Sequence, residues 1–174
     1  MTIVNVTNMM GEAQNQEKFI PKVIRKLLSQ EKINVDTDLN GTIGTRKYVY
    51  VGDVADAAMA ALADPSAAGK IFELGGPRVM SMRQVLRYIL DVTGRRRPMI
   101  ALPEGFVRLQ ARLGELLPTP PLTRDQLILL GKDNVVSPNA LGFQELGIEP
   151  KAVEAIVPAY LARFRQGGQR ASAA

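Results

Sequence analysis

The sequence predicts an α/β fold with few strands and a mostly helical C-terminal part, and three observations lead to that prediction. Short β-branched segments alternate with amphipathic stretches in the first half, whereas the second half is dominated by apolar residues at helical spacing. Hydrophobic residues make up 46 % of the chain and charged residues 22 %, as is typical of a protein with a packed core. The length of 174 residues suits one folding unit.

Strand and helix signals follow each other closely through the first 80 residues. Predicted strands cover residues 2–6, 33–35, 46–51 and 70–74, and predicted helices cover 17–30 and 54–63. We expect the first strand to be buried, because it is β-branched and apolar. Asp53 is placed to cap the Ala-rich helix that follows it. Gly75-Gly76-Pro77 predicts a turn rather than a phosphate loop, since a lone Gly pair after a strand usually forms a turn.

The remainder of the chain is mostly helical in its pattern. Ser81 is placed to cap a helix over 82–93. Further along, the pattern predicts an extended piece at 98–103, helices at 104–117, 123–130 and 151–165, and a proline-rich corner at 118–121. We therefore divide the single folding unit into strands and helices at 1–80, a helical region at 81–166 and a flexible tail at 167–174.

The composition excludes several classes of function. The chain has no His and no Cys, which removes imidazole bases, thiolate nucleophiles and the usual zinc ligand sets. Its net charge of +5 is spread evenly, and only 5 % of its residues are aromatic, so nucleic-acid binding is not expected. The acidic residues show no metal-binding spacing. Asp36-x-Asp38-x-Asn40-Gly41 resembles a calcium loop only in part, because Lys47 occupies the twelfth position in place of Glu.

Three segments carry a resemblance to a known family. They are Ile3-Val4-Asn5-Val6-Thr7-Asn8-Met9-Met10-Gly11, Glu17-Lys18-Phe19-Ile20-Pro21 and the stretch from Gly44 to Ala57, which contains Arg46 and Val51-Gly52-Asp53-Val54-Ala55. They resemble, in the same order, late segments of the extended short-chain dehydrogenase/reductase family of NAD(P)-dependent epimerases and dehydratases. The resemblance implies the last strands of a Rossmann-like sheet and the substrate-side region beyond it.

From residue 50 onward, the chain looks most like one branch of that family. Six strings carry the likeness, namely 50–57, 64–70, 72–77, 93–98, 122–126 and 133–136. They are similar to the nucleotide-binding accessory subunit of respiratory complex I and its bacterial relatives. Residues 8–48 look more like ordinary nucleotide-sugar enzymes, so a mosaic and a divergent relative both remain open. This branch implies a protein that sits at a membrane complex and holds its nucleotide for structural reasons.

The motifs that the family needs for catalysis are absent. The sequence has no Gly-x-Gly-x-x-Gly or Gly-x-x-Gly-x-x-Gly string, which would let a backbone turn approach a pyrophosphate. The family's Tyr-x-x-x-Lys pair is also missing, because none of the four tyrosines is followed by Lys four residues later. We therefore expect no catalytic residue, no cofactor in this chain alone and no activity alone, although the family uses NAD(P).

Three residues match substrate-contacting positions of the family. The resemblance implies that Asn8 and Arg46 contact the substrate, often at its diphosphate, with Lys18 as a weaker third. Guanidinium and amide groups suit that role, because they form directed hydrogen bonds to phosphate oxygens. The alternative interpretation makes Asn8 a turn residue and Arg46 a solvated strand residue.

A run of three arginines, Arg95-Arg96-Arg97, stands out from the rest of the sequence. Together with Arg108 and Arg112 it suits anionic headgroups or an acidic partner, provided that the apolar face of helix 104–117 is exposed. We favour the alternative, an ordinary core helix flanked by solvated arginines.

Three functions follow from these observations. The first is a noncatalytic, substrate-side portion of an epimerase/dehydratase-like protein, most like the complex I accessory subunit. The second is part of an active nucleotide-sugar epimerase or dehydratase, and the third is a stand-alone interaction module that self-associates. We expect a nucleotide-sugar-like ligand, a protein partner or self-association, and association with a membrane complex. No signal peptide or membrane span is expected, so the location is cytoplasmic, or peripheral at the inner membrane or on the mitochondrial matrix side.

Overall fold

The computed structural model describes residues 1–12, 14–16, 18–31, 33–35, 44–101, 105 and 131–165. The helices are α1 (Phe19–Leu28), α2 (Val51–Ala63), α3 (Met82–Thr93) and α4 (Val153–Leu161). The strands are β1 (Ile3–Val6), β2 (Asn8–Met10), β3 (Ile33–Val35), β4 (Thr45–Tyr50), β5 (Ile71–Leu74), β6 (Val79–Ser81) and β7 (Met99–Ala101). Short 3₁₀ turns occur at Pro65–Ala67, Gln144–Leu146 and Ala162–Phe164. The α/β class predicted from the sequence is confirmed.

The strands pair mostly in parallel. β1 runs parallel to β5, β2 parallel to β4, and β3 parallel to β7, while β4 and β6 form an antiparallel pair. β4 is the centre of a three-stranded sheet in the order β2-β4-β6. The β3–β7 pair joins the first 80 residues to the region after residue 81, and the division predicted at residue 80 stays a prediction.

Two apolar clusters cover the two faces of β4. On one face, α1, α3 and α4 pack over Met10, Tyr48 and Met80. On the other face, α2 packs with Val49, Phe72 and Leu74. Helices on both faces of parallel strands bury the strand side chains on each side, which is why Val49 is fully buried.

The helix cap that the sequence predicts at Ser81 is present at the start of α3. The Ser81 hydroxyl accepts a hydrogen bond from the backbone N–H of Gln84 at 3.3 Å, and the Gln84 side chain accepts one from the Ser81 backbone N–H at 2.7 Å. This reciprocal capping box fixes the start of the helix. Gly94 ends the helix in the left-handed region with φ 64°, a conformation that glycine adopts without steric cost.

Two of the predictions about local structure are wrong. Asp53 does not cap α2, because the helix already begins at Val51 and places Asp53 inside its first turn. The first strand is not buried, since Ile3 is 38 % exposed and Asn5 is exposed as well. β1 lies at the edge of its two-stranded sheet, and an edge position leaves part of each side chain in solvent.

Some predicted elements differ in extent or lie outside the described residues. β2 and β6 were not among the strands predicted from the sequence. The helix predicted at 151–165 begins at Val153 and gives way to a 3₁₀ turn at Ala162. The predicted helices at 104–117 and 123–130 and the tail at 167–174 lie outside the described residues, apart from helical Gly105. Among the described residues, no helix is long and apolar enough to cross a membrane.

Candidate functional site

Asn8 begins β2 directly beside the end of β1. It lies in register with Tyr48 of β4, so it is a strand residue and the alternative interpretation as a turn residue is wrong. Its side-chain Nδ2 is sealed from solvent and has no hydrogen-bond partner in the described part of the chain, and the same holds for Oγ1 of Thr7. Two neighbouring buried polar atoms therefore lack partners, which costs about 1–3 kcal/mol for each group.

Arg46 lies in β4, and only 8 % of it is exposed. Its Nη1 donates hydrogen bonds to the backbone carbonyl of Thr45 at 2.8 Å and to that of Lys132. These bonds connect the strand to the segment that follows residue 131. The interpretation of Arg46 as a solvated strand residue is therefore wrong, because the guanidinium is buried among backbone carbonyl groups.

The segment that contains Lys132 is also held to β4 by hydrogen bonds to Thr45. The Asp133 carboxylate accepts hydrogen bonds from the backbone N–H and from the hydroxyl of Thr45, each at 2.7 Å. Asn134 extends the pairing, since its N–H donates to the Thr45 carbonyl at 2.9 Å. The hydrogen bonds from Thr45 hold the pKa of Asp133 below its usual value. Arg46 thus lies within a structured strand junction.

Asn8, Arg46 and Tyr48 share one face of the β2–β4 pair. Arg46 and Tyr48 are two residues apart in a strand, which places them on the same side, and Asn8 stands opposite Tyr48. Burial raises the pKa of Tyr48 to about 12, and the nearby Arg46 charge opposes that rise. The phenol is therefore protonated at neutral pH, and the face offers hydrogen-bond donors rather than a base.

The third predicted site residue is not brought to this face by any described contact. Lys18 precedes α1, and its side chain is exposed. Its backbone N–H donates to the carbonyl of Asn15 at 3.0 Å, which fixes the start of the helix. The structure thus brings Asn8 and Arg46 together and leaves Lys18 on the surface.

A cavity of about 530 Å³ lies elsewhere, between α1 and the end of α4. Its walls combine apolar side chains, such as Ile20 and Phe164, with polar and charged ones, such as Glu12, Gln14 and Arg25. Neither Asn8 nor Arg46 lines it. The polar groups predicted to bind substrate lie instead at the β2–β4 face. The size of this cavity therefore does not make it the site.

An ion pair between buried Asp53 and half-exposed Lys151, which sequence reasoning missed, holds the C-terminal region against α2. The Asp53 side chain accepts the backbone N–H of Lys151 at 2.7 Å and its Nζ at 3.2 Å. That Nζ also lies 5.3 Å from the centre of the Tyr50 ring. Asp53 is 2 % exposed, so its charge needs these partners. No local signal could reveal the pair, because its members are 98 residues apart.

Comparison with known proteins identifies the relationship suggested by these strands. Residues 1–75 match the model of the NAD dependent epimerase/dehydratase family. The resemblance to that family predicted from the sequence is therefore confirmed.

Relatives in this family include subunits of respiratory complex I. A mitochondrial protein of Arabidopsis thaliana, NADH dehydrogenase [ubiquinone] 1 alpha subcomplex subunit 9, is 34 % identical over 137 residues. The match covers 72 % of this chain and 34 % of that protein. The mitochondrial NADH-ubiquinone oxidoreductase 40 kDa subunit of Neurospora crassa is 27 % identical over 94 % of this chain and 41 % of that protein. The chain therefore spans less than half the length of these relatives, and the predicted resemblance to the complex I branch is confirmed.

Solved structures of the family share the fold. UDP-glucose 4-epimerase of Thermotoga maritima has a TM-score of 0.62 and 20 % identity, covering 92 % of this chain and 45 % of that one. The dTDP-glucose 4,6-dehydratase DesIV of Streptomyces venezuelae, determined with NAD bound, has a TM-score of 0.62 and 19 % identity, covering 94 % and 42 %. At these identities the likeness shows the fold alone.

Neither Gly76 nor the start of α2 forms a phosphate cradle for the dinucleotide that the family uses. A Cβ added at Gly76 would collide with the Tyr48 carbonyl oxygen, so this glycine allows the chain to pack against β4 rather than to cradle a phosphate. α2 follows β4 directly, with no glycine-rich turn between them, and carries the acidic Asp53 in its first turn. A negative charge there disfavours a pyrophosphate at the helix N-terminus. Nor do the described residues contain a cluster of three acidic side chains that could hold a metal ion.

Proposed function

We propose that this chain is the substrate-side portion of an epimerase/dehydratase-like protein and serves as a noncatalytic accessory component of respiratory complex I. The similarity to the Arabidopsis and Neurospora complex I subunits supports the partner and, with it, a location on the matrix side of the inner membrane or its bacterial counterpart. The burial and hydrogen bonding of Arg46 support the noncatalytic role.

The single observation that carries the noncatalytic role is the engagement of Arg46. A diphosphate-binding arginine must present its guanidinium fork to the ligand. Here the guanidinium is buried, and Nη1 is bonded to the carbonyl groups of Thr45 and Lys132. To bind a diphosphate through Nη1, the protein would have to give up hydrogen bonds that join β4 to the segment after residue 131. This arrangement suits a structural role better than a turnover site.

The free edge of β1 supports the idea that the chain works as one portion of a larger sheet. The N–H of Ile3 donates to the carbonyl of Lys70, just before β5, at 3.1 Å, and the N–H of Thr7 donates to that of Leu74, the last residue of β5, at 3.0 Å. Because alternate residues of a parallel strand bond to opposite sides, the N–H and C=O groups of Val4 and Val6 face away from β5. No described strand pairs with that side. The edge suits a further parallel strand from a dinucleotide-binding portion, which would bring the NAD(P).

Copurification tests the proposal directly. The tagged chain would be expressed in its source cells, and membranes solubilised in mild detergent would be separated by native electrophoresis. We expect the chain to migrate with NADH:ubiquinone oxidoreductase activity and to turn over no nucleotide sugar. A chain that migrates apart from that activity and converts a nucleotide sugar would overturn the proposal.

A pair of variants at one position sharpens this test. Val4→Pro removes the outward-facing N–H of β1 and leaves the bonds to β5 in place, whereas Val4→Ala trims the side chain and keeps the N–H. We expect the proline variant to be lost from the complex and the alanine variant to remain. Circular dichroism of both variants checks that the fold is retained.

An active nucleotide-sugar epimerase or dehydratase is the second candidate, and the unpartnered amide of Asn8 favours it. A buried Nδ2 without a partner is suited to donate to a ligand oxygen. In this case Asn8 and Arg46 would bind the nucleotide sugar, with Lys18 at the edge. The test is binding of UDP-glucose measured by calorimetry, with Asn8→Asp, Arg46→Gln and Lys18→Gln compared with the exposed control Lys22→Gln. Weakening by about tenfold at Asn8 and Arg46 alone would favour the enzyme, and equal binding by all variants would exclude it.

A further inference from the structure

A recess rich in arginine lies where α3 gives way to β7. Gly94 turns the chain with a positive φ and is followed by three consecutive arginines. Together with Arg87 of α3 these residues, Arg95, Arg96 and Arg97, line a recess of about 390 Å³. We call these four side chains the arginine recess. It shares no residue with the face formed by Asn8, Arg46 and Tyr48.

The charge of the arginine recess is poorly balanced by the protein itself. Asp91 is the one acidic residue that lines it, against four guanidinium groups. Within the described residues, the ion pairs are Arg78–Glu154 and Lys151–Asp53, and neither involves the recess. Four guanidinium groups around one recess create a positive potential that attracts anions.

The guanidinium group of Arg95 is incompletely hydrogen-bonded within the described part of the chain. Its Nη2 reaches the Phe164 carbonyl at a long 3.4 Å, while its buried Nε has no partner in the described part of the chain. A guanidinium group with an unused buried donor is only partly satisfied. Arg95, which lines the positively charged recess, therefore has an unused hydrogen-bond donor.

Helix electrostatics alone do not account for the cluster. Cations near a helix C-terminus interact favourably with the helix dipole, but the effect falls off within the last turn. α3 ends at Thr93, so Arg96 and Arg97 lie beyond that turn. Exposed Arg96 has no described ion-pair partner, which is more typical of a binding surface for anions than of a structural contact.

We propose that the arginine recess binds a phosphate group, carried either by a lipid headgroup or by a small phosphorylated molecule. Guanidinium groups donate paired hydrogen bonds to phosphate oxygens, and a phosphate carries enough negative charge to balance several of them. Leu90, Pro98 and Met99 line the same recess and offer apolar contacts to the carbon portion of such a ligand. The proposal does not depend on the function proposed above.

Titration with inorganic phosphate at low and at physiological salt tests the proposal, with chemical shifts of the isolated chain as the readout. The test variant is Arg96→Gln/Arg97→Gln. The matched control is Lys22→Gln/Arg83→Gln, which removes the same charge from exposed positions outside the recess. We expect phosphate binding to weaken by about tenfold or more in the recess variant and to change less than about twofold in the control. Urea unfolding checks that both variants remain folded.

Vesicles of phosphatidylcholine with and without phosphatidic acid distinguish the two sources of phosphate. Binding to phosphatidic acid vesicles that the recess variant loses would identify a lipid headgroup, and binding to inorganic phosphate alone would identify a soluble ligand. The proposal is overturned if neither probe binds, or if the recess and control variants weaken binding equally, since that would indicate a general effect of net charge.

Discussion

β4 and β1 differ in how many of their edges are paired and in how far their side chains are covered. β4 is paired with β2 on one side and β6 on the other, and helices cover both of its faces. β1 is paired on one side only, and its first residue, Ile3, is 38 % exposed. β5 differs from β1 in turn, because the N–H of Glu73 donates to the Leu141 carbonyl at 2.8 Å and so fills its second edge. One edge of β1 thus has no described strand partner, and this is the edge at which we propose that a partner strand binds.

The largest expected effect is a difference in stability between substitutions on the β4 side and on the β1 side of the protein. Leu86 of α3 is fully buried over the β4 side, whereas Ile71 of β5 is 53 % exposed beside β1. We expect Leu86→Ala to lower the free energy of unfolding by about 2–5 kcal/mol, because it leaves a cavity. Ile71→Ala should cost no more than about 0.5 kcal/mol. Urea unfolding measures both, and equal costs would contradict the contrast between the regions.

The Asp53–Lys151 contact gives the next largest effect. Asp53→Asn keeps the shape but removes the buried charge that binds the Lys151 N–H and Nζ, so we expect a loss of about 1–3 kcal/mol. Asp56 lies on the same helix and is exposed. Asp56→Asn is therefore the matched control and should change stability by less than about 0.5 kcal/mol. A similar loss for both variants would mean that the ion pair has no special role.

The capping box of α3 is expected to contribute less. Ser81→Ala removes the acceptor for the Gln84 N–H and should cost about 1 kcal/mol in the free energy of unfolding. Ser29→Ala, at the C-terminal end of α1, serves as the control, since the Ser29 side chain has no described capping bond. If thermal unfolding midpoints of the two variants coincide, the capping box is not holding the start of α3.

The smallest effect concerns pH and the junction beside β4. Hydrogen bonds from Thr45 lower the pKa of Asp133 from its ordinary value of 3.8. A depressed folded pKa gives stability that is present above the unfolded value and is lost as pH falls through the folded value. We expect Asp133→Asn to reduce that acid-dependent part of the unfolding free energy. Because Asp133 is exposed, we expect this reduction to be small. If Asp133→Asn leaves the pH dependence of the unfolding free energy unaltered, the Thr45–Asp133 contact does not contribute to it.

How much could be predicted from the sequence depended on how local each feature is. The cap at Ser81 and the strand at 33–35 were predicted correctly, because the signals lie within a few residues. The role of Asp53 was not, because its partner Lys151 is brought near only by the folded chain. The substrate-binding role of Arg46 stays a prediction, and its burial against the Lys132 carbonyl depends on the same kind of distant packing.

Amide exchange along β1 tests the central claim, that this strand presents a free edge to a partner. Residue-resolved NMR of the isolated, monomeric chain would compare Val4 and Val6 with Asn5, in the same strand, and with Thr7, directly after it. We predict fast exchange at Val4 and Val6, whose N–H groups face away from β5, and slow exchange at Asn5 and Thr7, whose N–H groups face it. Equal protection at all four residues would contradict the account, because it would mean that the edge is already paired.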